Sequence, residues 1–108
     1  MVLDIAQLRS VTEDDERMMH EFLTQLVSDT SEQIDMLRRA IERADMKQCL
    51  TLAHSGIGAC AIVGAATMAS QFRSLELAAS DGDLTLCRSS TEQLFLELEK
   101  LRSEATYI

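Results

Sequence analysis

Apolar side chains return every three or four residues along most of this chain, the spacing that lines one face of an α-helix. From Met19 they run through Phe22, Leu26, Ile34 and Leu37 to Ile41, which predicts one long helix from about Asp14 to Ala44. Thr12, with Asp15 three residues on, resembles a capping box at its start. A shorter helix over Val2 to Leu8 is expected ahead of it, as a lid. Leu50, Ala53, Ile57, Cys60 and Gly64 mark a second amphipathic segment from Lys47 to Gly64, and Met68, Phe72, Leu75 and Ala79 mark a third. Ser80-Asp81-Gly82-Asp83 then supplies a stop, with Gly82 suited to a left-handed cap and Asp83 to the N-cap of a last helix. That helix carries Leu84, Cys87, Thr91, Leu94, Leu98, Leu101 and Ala105 in unbroken threes and fours and ends near Thr106. Short connections between helices make antiparallel neighbours. The expected fold is therefore all-α, an antiparallel up-down four-helix bundle with a short N-terminal lid helix, as a single domain over 1–108.

Composition narrows the function classes. There is no proline and there are only four glycines among 108 residues, which suits long helices. The formal charge is -8, and no basic cluster is present to condense on phosphate backbone or anionic lipid, so neither nucleic acid nor a membrane surface is expected as a partner. The three cysteines, Cys49, Cys60 and Cys87, form no CxxC pair and read as small core residues of a reducing compartment. The first residues, with Asp4 and no continuous apolar run, do not form a secretory signal, so a cytoplasmic location is expected. The two histidines and three cysteines form no i, i+4 helical pair with one another, so no metal site is expected. Met18, Met19 and Met36, read as exposed, leave a homodimerising bundle open as one reading.

Candidate chemistry gathers at Ala53-His54-Ser55-Gly56-Ile57-Gly58. A glycine inside a helix costs about 1 kcal/mol relative to alanine, so two of them beside a histidine call for a compensating reason. Helical side chains lean toward the N-terminus, and any side chain at position 58 would lie over the imidazole of His54. Glycine there leaves the ring uncovered. Ala61 and Ala65 continue the same row and extend a smooth, small-residue surface. The competing reading is a boundary histidine with glycines that serve close helix packing. His20, between charged neighbours Glu16 and Glu21, reads as a solvated surface histidine. Gly56-Ile57-Gly58-Ala59-Cys60-Ala61 formally fits a dinucleotide-binding fingerprint, but that needs a βαβ unit and no second strand is legible.

The run from His54 through Gly64 to Ala65 resembles the core of histidine-containing phosphotransfer (HPt) domains. Their pattern is an alanine-histidine pair, two residues, lysine-glycine, then a glycine six further on. Gly58 and Gly64 fall in register, and the resemblance continues through Met68, Phe72 and Leu75-Glu76 to Asp81-Gly82-Asp83 and back to Ala44-Asp45. One key position departs, since Ile57 stands where the family has its lysine, and Ala59 and Cys60 stand where the family usually has small polar residues.

The resemblance implies that His54 accepts a phosphoryl group from an aspartyl phosphate on a response-regulator receiver domain and passes it to another receiver. It implies Glu76 as the group that orients the imidazole. Arg73, three residues from Glu76, then lies within long-side-chain reach of the phosphate. Docking is expected on Gly58, Ala61, Ile62 and Ala65 with Ile57, through apolar contact rather than bulk charge. No cofactor is expected in this chain, Mg2+ being supplied on the receiver. The chain then serves as a phosphoryl carrier rather than a stand-alone enzyme, a monomer, either free or fused to a hybrid sensor histidine kinase. Replacement of the lysine by Ile57 supports the alternative of an HPt-like helical interaction module without phosphotransfer.

Overall fold

The long helix is capped by Asp15 rather than by Thr12. In the computed structural model, which describes residues 3–62 and 65–106, the described residues form five α-helices and no strand. These are α1 (Ile5–Val11), α2 (Glu16–Glu42), α3 (Met46–Ile62), α4 (Ala66–Ser80) and α5 (Leu84–Ala105). Asp15 Oδ1 accepts from the backbone N–H groups of Arg17 at 3.0 Å and Met18 at 3.2 Å, satisfying two of the orphan donors of α2. Thr12 instead ends α1. Its hydroxyl donates back to the Leu8 carbonyl at 2.8 Å, so it serves the preceding helix, and the expected capping box does not form. Between the two helices the chain passes through Glu13 and Asp14, both in the left-handed region at φ 53° and 61°.

The lid helix lies later than expected, at Ile5–Val11, and is capped by Asp4. Val2, the expected start, lies outside the described residues. The other stops follow the sequence. Asp45 accepts from Gln48 N–H at 3.0 Å to open α3, and Asp83 accepts from Leu86 N–H at 3.0 Å to open α5, directly after Gly82 at φ 70°.

Packing closes the four long helices into a ring, with α2 and α4 each set against both α3 and α5. The core between them holds Met19, Leu23, Leu26, Ile34, Leu37 and Ile41 from α2, with Met68, Phe72 and Leu75 from α4 and Leu94, Leu98 and Leu101 from α5. The face of α3 is rotated from expectation, and that of α2 differs at one expected position. On α2, Leu23 is buried and Phe22 lies at the exposed margin; Met19 is buried too, so only Met18 and Met36 of the three methionines reach solvent. On α3 the buried positions are Cys49, Leu52, Ala53, Gly56 and Cys60, while Leu50 is exposed and Ile57 half-buried. Small and apolar residues occur around most of α3, so periodicity alone did not settle which side faces inward; the packing of α4 did. Outside the core, Arg38 on α2 donates two 3.1 Å hydrogen bonds to the Glu92 carboxylate on α5, and its guanidinium lies 4.9 Å from the Phe95 ring centroid.

Candidate functional site

His54 sits on α3 with its side chain 80 % exposed, and its Nδ1 lies 2.6 Å from Oε2 of Glu76 on α4. A carboxylate oxygen only accepts, so in the neutral ring the proton belongs on Nδ1, where it donates to Glu76. The lone pair is then on Nε2, the nitrogen free of this contact. Two helices thus hold one imidazole in one tautomer and one orientation while its other edge faces solvent.

The two glycines flanking Ile57 have different reasons. A Cβ added at Gly58 would meet nothing within 4 Å, so packing does not require glycine there. One turn past His54, its bare surface leaves the approach to the ring open. A Cβ at Gly56 would stand 2.5 Å from ring atoms of Phe72, so that glycine exists for close approach of α3 and α4. Packing therefore accounts for Gly56 and not for Gly58.

Among the other expected site residues, Ala61 is exposed on α3 and Ile62 is 60 % exposed at its end. Ile57, half-buried, packs against the core at the edge of the same face. Ala65 does not belong to this surface. The helix ends at Ile62, so the row does not continue to 65; Ala65 is the N-cap residue of α4, fully buried, with its N–H donating to the Cys60 carbonyl at 2.9 Å. Gly64 lies outside the described residues. Arg73 is exposed on α4 and shares a small cleft of about 220 Å³ with Asp4, Gln7, Ala61, Ala66 and Ala69. His20 is exposed on α2 and lines another groove, of about 570 Å³, with Leu23, Val27, Arg102 and Ala105.

The cysteines supply no second nucleophile. All three are free and buried, and burial pushes the thiols of Cys49 and Cys60 up to about 11 and raises that of Cys87, which disfavours the reactive thiolate.

One residue near the site escaped the sequence reading. Gln7 on α1 donates from Nε2 to the carbonyl of Ala61 at 2.6 Å and to that of Ile62 at 3.3 Å. It reaches across more than fifty positions of sequence, and no local pattern signals it.

The family model described as Hpt domain matches residues 21–104. The fold is similar to the crystal structure of histidine-containing phosphotransfer protein B (HptB) from Pseudomonas aeruginosa, with a TM-score of 0.90, 27% sequence identity, and coverage of 98% of this chain and 92% of that one. No curated protein matches significantly by sequence.

Proposed function

Because this chain belongs to the Hpt domain family, we propose that His54 is the phosphoryl-accepting nucleophile of a multistep phosphorelay, taking the group from a receiver aspartate and passing it to another receiver. The observation that carries this reading is the 2.6 Å contact from Nδ1 of an exposed His54 to Glu76. With the proton held on Nδ1, the Nε2 lone pair attacks the phosphorus of an aspartyl phosphate. The N–P bond forms as the bond from phosphorus to the aspartate oxygen breaks, and the carboxylate leaves on the receiver. Positive charge develops on the ring as this happens, and the Glu76 carboxylate opposes it across the hydrogen bond. Reversal toward a second receiver uses the same geometry, with Asp as the attacking group.

Docking falls to Gly58, Ala61, Ile62 and the exposed edge of Ile57, an uncharged surface on a net-negative chain. Arg73 is assigned a phosphate contact from the neighbouring helix. No cofactor is assigned to this chain, and Mg2+ belongs to the receiver. The reading takes 1–108 as one domain whose long helices run up and down antiparallel, supported by connections of three residues each. It takes the protein as a cytoplasmic monomer acting as a phosphoryl carrier, either free or fused to a hybrid sensor histidine kinase.

A second reading keeps the bundle and omits the phosphate, and Ile57 in place of the family's lysine is what favours it. Incubation with phosphorylated receiver domains separates the two. Intact mass is expected to show one phosphoryl group, acid-labile and base-stable, lost in His54→Gln and kept in His20→Gln. Persistent labelling of His54→Gln would overturn the assignment of the nucleophile, and absence of any labelling would leave the interaction module.

A further inference from the structure

The last carbonyls of a helix lack partners within it and must find them elsewhere. At the end of α3 a side chain from a distant helix provides them. Gln7 Nε2 donates to the carbonyls of Ala61 and Ile62, the two residues that form the far end of the exposed row beginning at Gly58. Gln7 is itself held in place. The next residue, Leu8, is fully buried, Asp4 caps the helix by accepting from Gln7 N–H at 3.2 Å, and Leu3 N–H donates to Glu104 at 3.3 Å. Helix α1 lies outside the residues 21–104 that match the family model.

His54 does not feel this contact directly, because Ala61 is two helical turns beyond it and Glu76 fixes the ring from another helix. What Gln7 fixes is the position of Ala61 and Ile62. We infer that Gln7 is a positioning residue for receiver docking: it holds the end of the α3 docking row in register and sets how tightly a receiver binds, without entering the chemistry at His54. The inference rests on the phosphotransfer reading above.

The test compares Gln7→Met, which removes the donor, with Gln7→Lys, which keeps one that reaches helix-end carbonyls. Single-turnover transfer is followed over a range of phosphorylated-receiver concentrations, and labelling of His54 by phosphoramidate, a donor too small to need docking, is measured in parallel. Loss of the Nε2 donor and its contacts to Ala61 and Ile62 is expected to raise the half-saturating receiver concentration roughly three- to tenfold in Gln7→Met, with Gln7→Lys staying within about twofold of the parent. The plateau rate and the phosphoramidate rate are expected to be unchanged in both. An unchanged half-saturating concentration in Gln7→Met overturns the inference, as does an equal fall in plateau and phosphoramidate rates, which would place Gln7 in the chemistry or in general stability. If the parent chain is labelled by neither donor, the phosphotransfer reading fails first and this one with it.

Discussion

The Phe72 ring of α4 packs directly on Gly56 of α3, so closely that a Cβ at position 56 would stand 2.5 Å from its Cε1 and Cζ atoms. Glu76 lies one turn further along α4 on the same side, and His54 lies two residues before Gly56. The bare backbone at 56 therefore sets the separation and level at which the Glu76 carboxylate meets the imidazole. A packing contact in the core governs a hydrogen bond at the surface.

Opposite outcomes are expected for alanine at the two glycines. Gly56→Ala forces the buried Phe72 ring aside, an overpacking cost of about 1–3 kcal/mol that outweighs the gain in helix propensity. Gly58→Ala meets open space and gains up to about 1 kcal/mol. Denaturant midpoints measured on both variants check the pair, and a common sign for the two changes would contradict the packing described.

Gly58→Leu separates stability from function. The side chain has room, so the thermal midpoint should hold or rise. It leans toward His54, so phosphotransfer from a receiver should fall by at least about tenfold through lost access. Melting together with loss of transfer would mean that position 58 is covered.

At Glu76, orientation and charge can be told apart. Glu76→Gln retains an acceptor oxygen for Nδ1–H but loses the negative charge, whereas Glu76→Ala loses both. Transfer is expected to slow by about tenfold or less in the glutamine variant and by roughly 10- to 100-fold in the alanine variant. Nitrogen chemical shifts of the ring should report the Nδ1–H tautomer in the parent and a mixture of tautomers in Glu76→Ala.

The family's lysine position offers a gain-of-function test. Ile57 is half-buried at the edge of the site, so a lysine there can lay its aliphatic stem along the same apolar surface and extend its ammonium outward. Ile57→Lys should speed phosphoryl acceptance by about tenfold, since a cation opposes the charge of the phosphoryl group. Arg73→Ala should slow it. Transfer rates from one phosphorylated receiver decide both, and no change in either would leave charge compensation to the receiver.

Alkaline pH should destabilise the bundle through its thiols. Burial raises Cys49 and Cys60 from an ordinary value of 9.0 to about 11, so above 9 the unfolded chain releases protons that the folded chain retains. Stability contributed by the neutral thiols is present below pH 9 and is lost as the pH rises toward 11. The denaturant midpoint should fall over that window in the parent and fall less in a Cys49→Ala/Cys60→Ala variant. At neutral pH, alkylation of all three cysteines should require unfolding.

Much of the fold was legible because it is locally encoded. Gly82 and Asp83 end one helix and begin the next through their own backbone and side-chain preferences, and the seam of α5 follows from spacing alone. Thr12 is ambiguous in the sequence because two residues able to cap stand three apart, and only burial of the Thr12 hydroxyl against Leu8 decides which helix it serves. Ala65 falls outside the docking row because such a row continues only as far as its helix, and α3 ends at Ile62.

By itself the sequence determined an all-helical chain, an unshaded histidine at position 54 and a family resemblance, since propensity, periodicity and a missing side chain are properties of residues and their near neighbours. Tertiary structure decided which glycine is packed against a neighbouring helix and which faces open space. It also decided that Glu76 meets Nδ1 and that Gln7 closes the end of α3. Each of these depends on the separation and rotation of one helix against another, and those are set by core side chains such as Phe72, which interlock only once the helices are assembled.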